Sequence, residues 1–418
     1  MRIFLVSGFL ALLLTPALRA DHACSQTDLQ AAAQRAKAVQ SQLLAYKIQD
    51  EIDAQVPVLL QAQIRAFKKS LAALADTALQ CAPEDANPKL IETTLAKLLD
   101  ANKPVINEVY DPKKPPQLDH IYGDGINVKV TAPPNMPKIR LVKISFDIAC
   151  GDDSLLLVYE KRGNSWSKAI LWQSPEYDLV SGAFGDFFQY QVLPQKNTAD
   201  WLLVAGHGYP WCSSRMSAFD VDVIQPAHDK TPQQLLFHKH GYYSRFSVPV
   251  TIKAEPGGFE LRLESDMIDM DIMTRINIYR YRVSASEFQR VQPIALNGRD
   301  FVDEWLQSEW SESKNWSLSS ELTELETMHE KIKKLRDYNP NDKETPNLTY
   351  GPVRPCSESP SHFQVELDEG WWVEQQKDWR PDKPTYFQIQ EGKNSFTMHS
   401  ASGKPDPHCT GHDIMAPH

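Results

Sequence analysis

Between Gly125 and Ile294 the chain is cut by Gly, Pro, Asn and Asp into short apolar or alternating runs, and this interruption restricts its fold more than any other feature. Runs of this length with a period of two form strands rather than helices. GINVKVTA, IRLVKISFDI, SLLLVYEK and SWSKAILW fill residues 125–172. FFQYQVL, DWLLVAG, SAFDVDVI and QQLLFHK form a second quartet, and SVPVTIKA, FELRLES, RINIYRYRV and EFQRVQPI a third. Such quartets predict repeated four-stranded antiparallel meanders, either propeller-like or packed as a sandwich. Three units make an unusually small ring, so the pattern calls for a fourth unit from elsewhere in the chain or for sandwich packing.

The N-terminal part has the opposite texture. From Thr27 to Gln80 there is no glycine and one proline, Pro57, while Leu29, Ala32, Ala36, Val39 and Leu43 recur at three- and four-residue steps. This is the spacing of an amphipathic helix, and Leu59, Ile64, Phe67, Leu71 and Leu74 repeat it beyond Pro57. Two helices of similar length are expected to fold back as an antiparallel hairpin, with a third from Pro88 to Asp100 covering it. The hairpin's open end would carry Cys24 and Cys81.

Beyond the meanders, Phe301, Trp305, Leu322, Leu325, Ile332 and Leu335 return to helical spacing, with Ser319 or Ser320 as expected N-caps. The polar, proline-bearing stretch NPNDKETPNLTYGPVRP reads as a connector. HFQVEL, PTYFQIQE and SFTMHSA then predict a last small β module. The expected fold class is mainly β with an N-terminal α-helical hairpin, repeated meanders and a C-terminal β module. Its segments are a signal peptide at 1–20, the hairpin domain at 21–103, a linker at 104–117, the meander domain at 118–298, a helical segment at 299–338, a second linker at 339–355 and the stapled module at 356–418.

The first twenty residues, MRIFLVSGFLALLLTPALRA, combine Arg2, an apolar stretch too short to span a membrane, Pro16 and the small Ala20. That order is a secretory signal cut after Ala20. A lipid anchor on Cys24 is disfavoured because Asp21, His22 and Ala23 are not the residues such a signal uses. The expected protein is therefore secreted or periplasmic, without a membrane span. All six cysteines follow the signal, and an even number in an oxidising compartment reads as three disulfides; the hairpin's open end and the ends of the C-terminal module each hold one pair, which predicts Cys24–Cys81 and Cys356–Cys409 and leaves Cys150–Cys212 within the meanders. Asn315 and Asn347 stand in glycosylation triplets, relevant only in a eukaryotic secretory pathway.

The net charge of −10 leaves no basic stripe for a nucleic acid. The candidate sites are few. GHGYPWCSS, at 206–214, sets His207 five residues before Cys212; a thiolate and its base need that proximity, but a disulfide uses the cysteine better. His238 and His240, two apart on one strand, face the same way, and with His207 they form a candidate divalent-metal set. No other cofactor is expected. Asp266, Asp269 and Asp271 lack the glycine-centred spacing of a calcium loop. MHEKIKK, at 328–334, begins like a zinc-protease helix, yet Lys333 stands where the second histidine belongs. Trp211, Trp371 and Trp372 are the candidate ligand contacts, because tryptophans on sheet surfaces stack on sugars or anchor partners.

No G-x-S-x-G, phosphate-binding loop or dinucleotide fingerprint occurs. The reading that results is an extracytoplasmic binding or interaction protein whose partner is a glycan, a peptide or an envelope protein. The alternative is a secreted hydrolase using dispersed acidic residues or a histidine-based metal site.

Overall fold

The computed structural model describes residues 24–46, 56–83, 85–103, 122–148, 151–174, 187–195, 200–209, 216–228, 231–244, 248–269, 271–284, 287–337, 344–357, 359–373 and 377–415. The signal segment, the 104–117 linker, Cys150, Trp211 and Cys212 lie outside these residues. Among the described residues no helix is long and apolar enough to cross a membrane.

Two helices, α1 (Gln26–Leu44) and α2 (Val58–Cys81), form the hairpin, and α3 (Pro88–Leu99) packs beside them. Ser25 starts α1 with a reciprocal cap: its Oγ accepts from the Asp28 amide at 3.2 Å, and the Asp28 carboxylate accepts from the Ser25 amide at 3.0 Å. Asn87 caps α3 through Leu90 N at 2.8 Å, with Pro88 where a missing N–H costs nothing. The Cys24–Cys81 disulfide, with Cα atoms 5.0 Å apart, joins the start of α1 to the end of α2 and makes the pair antiparallel.

Three meanders follow in chain order. The first sheet holds β1 (Asn127–Thr131), β2 (Ile139–Ile148), β3 (Gly151–Arg162) and β4 (Ser165–Gln173). The second holds β5 (Phe188–Pro194), β6 (Trp201–Gly208), β7 (Met216–Gln225) and β8 (Gln234–Ser244). The third holds β9 (Thr251–Glu255), β10 (Gly258–Asp266), β11 (Thr274–Ser284) and β12 (Glu287–Arg290). Each predicted run overlaps one of these strands.

The sheets stack face to face. The helical hairpin covers one face of the first sheet through Phe146, Leu155, Leu157 and Tyr159. The other face presents Leu141, Leu156, Val158 and Trp172 to Leu203, Ala205 and Ile224 of the second sheet. That sheet in turn packs Leu202, Val204, Phe219 and Val221 against Ile252, Leu261, Leu263 and Tyr281 of the third. Strands buried on both faces cannot alternate, which is why β3 and β6 read LLLVY and WLLVA. At Gly206 an added Cβ would stand 2.5 Å from Ile252 Cδ1, so glycine lets β9 come this close to β6.

Exposed sheet edges are satisfied by side-chain amides. Gln189 of β5 donates to Val250 O and accepts from Ile252 N at 3.0 Å, while Gln191 binds Ile252 O at 2.8 Å and Ala254 N at 2.9 Å. These two glutamines thus imitate a strand along the edge of β9. Asn102 does the same for Val128 of β1, and Gln233 for Leu171 of β4. Each contact gives partners to backbone groups that would otherwise template aggregation.

The C-terminal part supplies a fourth sheet. Helix α4 (Gly298–Gln307), the single turn α5 (Trp310–Ser313) and α6 (Leu322–Arg336) precede β13 (Glu344–Cys356), β14 (Ser359–Val373), β15 (Asp378–Pro381), β16 (Thr385–Gly392) and β17 (Ser395–Ser402). Their order is β13-β14-β16-β17, with β15 also paired to β14. Its core shares Phe301, Trp305 and Ile332 of the helices with Val365, Leu367, Phe387 and Met398 of the sheet. The Cys356–Cys409 disulfide closes the module.

Two expectations are corrected here. Much of the stretch read as a connector at 339–355 is strand β13, tolerated despite Pro346, Pro352 and Pro355 because β13 is an edge strand with irregular register. The N-cap of α6 is Glu321, not Ser319 or Ser320, and makes no side-chain cap bond.

Candidate functional site

Cross-strand register, not sequence proximity, assembles the candidate site. In the second sheet His207 of β6 stands opposite Asp220 of β7, and Asp220 stands opposite His240 of β8. One step along, Ala205, Asp222 and His238 form the adjacent row. Directly opposed residues share a face, as do residues two apart, so all three predicted histidines point toward the first sheet.

Each aspartate links an imidazole to an aromatic donor. Asp220 Oδ1 lies 2.8 Å from His240 Nδ1, and its Oδ2 accepts from the Tyr209 hydroxyl. Asp222 Oδ1 lies 2.9 Å from His238 Nδ1, and its Oδ2 accepts from Trp172 Nε1 at 3.1 Å. A carboxylate facing Nδ1 favours a proton on that nitrogen, and His238 Nε2 also lies 3.7 Å from Asp220 Oδ1. Asp220 is buried, Asp222 half-buried and both histidines exposed, so these pairs run from the interior to solvent.

An aromatic row follows the same path. Trp172 stacks on Phe188 at 4.3 Å, His207 lies 5.3 Å from Trp172 and 5.7 Å from Tyr209, and His240 lies 6.1 Å from Tyr209 and 5.6 Å from Tyr242. Tyr242, 54 % exposed, ends the row at the surface. At its inner end the Lys143 ammonium sits 5.0 Å above the Phe188 ring.

Burial sets the protonation here. It pulls His207 down to about 4, against a smaller pull from Asp220, so the ring is neutral at pH 7. Its Nε2 is 3.5 Å from Ser174 Oγ, and its Nδ1 has no hydrogen-bond partner among the described residues. Burial also raises the Asp152 carboxyl and, together with the bond to Asp220, the Tyr209 phenol. Burial lowers the Lys143 ammonium.

The three candidate metal ligands therefore share a face but not a centre. Among the described residues no three His, Cys, Asp or Glu side chains converge as a ligand set. Trp371 and Trp372 are in the fourth sheet, away from this row; both are half-buried, and Trp372 packs on Trp379 at 5.3 Å, leaving Trp379 as the exposed ring. Asp269 accepts from the backbone amides of Asp271, Ile272 and Tyr350, a structural role. His329 is buried, with Nε2 2.9 Å from Ser308 O. Tyr209, Asp220, Asp222 and Trp172 were missed by sequence reasoning, although the alternation in FDVDV does place both aspartates on one face.

A second polar cluster joins the third sheet to α4. Arg275 of β11 bonds Asp303 and Glu304, and Arg290 of β12 bonds Glu304 and, at 3.3 Å, Glu312. Arg290 also lies over Tyr279 at 4.7 Å and Trp316 at 5.3 Å. Burial alone would raise Glu304, but the two guanidinium groups outweigh it and hold the carboxyl at about 2. Every member at the centre is buried and already paired with opposite charge.

No family model and no curated protein matches the chain. Among solved structures, two of an α-L-arabinofuranosidase from Fusarium graminearum with an iminosugar inhibitor, one of them a mutant enzyme, align with 65 % of this chain at 6 % identity and a TM-score of 0.25. The alignment spans 66 % of that enzyme's chain. Likeness at this level carries no functional inference.

Proposed function

We propose that the protein is an extracytoplasmic binding protein whose site is the outer end of the histidine–aspartate row, and that its ligand is a neutral glycan. The observation that supports this reading is the pairing of two half-exposed imidazoles with two carboxylates beside a ring row that ends on exposed Tyr242. A sugar ring offers vicinal hydroxyls, which donate to carboxylate and imidazole acceptors, and an apolar C–H face, which packs on an aromatic ring. The two disulfides, from Cys24 to Cys81 and from Cys356 to Cys409, suit an oxidising compartment.

The test is calorimetric titration of the full secreted chain with cello-, xylo- and chito-oligosaccharides. Saturable binding of one series is expected, weakened at least tenfold in Asp220→Asn and in Tyr242→Ala variants that keep the wild-type circular dichroism. Absence of binding across the panel overturns the proposal. Hydrolysis of a panel member that is lost in Asp222→Asn replaces it with the hydrolase reading.

A further inference from the structure

A cavity of about 340 Å³ opens on the third sheet, on the face turned away from the second sheet. Cross-strand register builds its charged wall. Lys253 of β9 and Arg280 of β11 stand directly opposite Glu260 of β10, one on each side, and Arg262 lies two residues further along β10 on the same face. Arg282, two residues from Arg280, stands opposite Gly258. The turn from β9 into β10 runs through Pro256 and Gly257, the latter at a φ of 82°, and Gly257 and Gly258 put no side chain into the opening.

The buried Glu260 carboxylate fixes two guanidinium groups in place: Arg262 Nε lies 2.5 Å from its Oε1 and Arg280 Nη2 lies 2.8 Å from its Oε2. Each arginine commits one nitrogen to this pair, and its other side-chain N–H groups have no partner among the described residues. Lys253 and Arg282 are exposed and make no side-chain hydrogen bond or ion pair among the described residues. The wall thus carries four cationic side chains against two carboxylates, Glu255 and Glu260, in a chain whose net charge is −10. A concave wall of one sign concentrates counter-charge.

We infer that this cavity binds a phosphate group, carried either by free phosphate or by a small phosphate monoester. Such a group bears roughly −1.5 to −2 charges at neutral pH, which answers the surplus of two cations, and a guanidinium can hold two of its oxygens at once. A carboxylate brings only half that charge and a neutral sugar none, so each leaves part of the wall unanswered. The histidine row lies on the face of the second sheet turned toward the first, and the packed core between the second and third sheets separates it from this cavity.

The experiment titrates the full chain with sodium phosphate, glucose 6-phosphate and sodium glucuronate at neutral pH and constant ionic strength, read by calorimetry. Saturable binding of at least one of the two phosphates, at least tenfold tighter than glucuronate, is expected, and the tighter of the two shows whether the group arrives free or esterified. Lys253→Ala/Arg282→Ala should weaken that binding at least tenfold at an unchanged unfolding temperature, because both side chains are exposed. Arg280→Lys, which keeps the charge but loses the planar fork, should weaken it at least threefold. Failure of both phosphates to saturate overturns the inference, and so does glucuronate binding as tightly as the phosphates or wild-type affinity in either variant.

Discussion

The two polar clusters of the β domain use the same residue types to opposite ends. Around Arg275, Arg290 and Glu304 the central charges are buried and each is paired with its opposite. In the row from His207 to Tyr242 the inner residues are buried, but the outer imidazoles and the terminal ring meet solvent with acceptor capacity left over. Burial of charge with matched partners marks a joint between layers. A graded path from buried to exposed marks a surface that can bind.

The largest test of that contrast is Glu304→Ala, which takes one carboxylate partner from each of two buried guanidinium groups. It should cost about 3–5 kcal/mol, seen as a large fall in the urea midpoint. If Asp220→Asn costs as much, the two clusters do not differ in kind.

His207 should give the next largest effect, through pH. Its pKa is near 4 in the folded chain against 6.5 for a free histidine, so in that window the unfolded chain binds a proton that the folded chain refuses. The stability at stake is whole above pH 6.5 and is lost as pH falls toward 4, on the order of 3 kcal/mol. Asp147 and Asp153, raised by burial to about 6, act in the opposite sense, since the folded chain then takes up protons before the unfolded one. The difference between wild type and His207→Gln isolates the histidine and should shrink between pH 7 and pH 4.

Gln189→Ala should cost about 1–3 kcal/mol, by leaving the Val250 carbonyl and the Ile252 amide of β9 without their partner. Tyr242→Ala, on the exposed end, should change stability by about 0.5 kcal/mol or less while reducing glycan affinity. That separation of stability from affinity is what the binding reading requires.

The strands were legible because alternation and turn residues are local. The hairpin's Cys24–Cys81 closure was legible because two helices of similar length bring their ends together. Strand β13 was hidden by its prolines, which forbid a central strand but not an edge. His238 and His240 announced a shared face through their spacing alone. Nothing local announced that His207 and Asp220 would stand in register with them, because that alignment depends on how long the β6–β7 and β7–β8 connections are and how they fold.

The sequence by itself therefore determined the element types, the two observed disulfide pairings and the order of the meanders, all of which follow from periodicity and chain connectivity. The tertiary structure decided which charges became neighbours and which of them stayed wet. Cross-strand register and face-to-face packing are collective properties of four sheets, and they turned similar acids and bases into a closed joint at one seam and an open row at another.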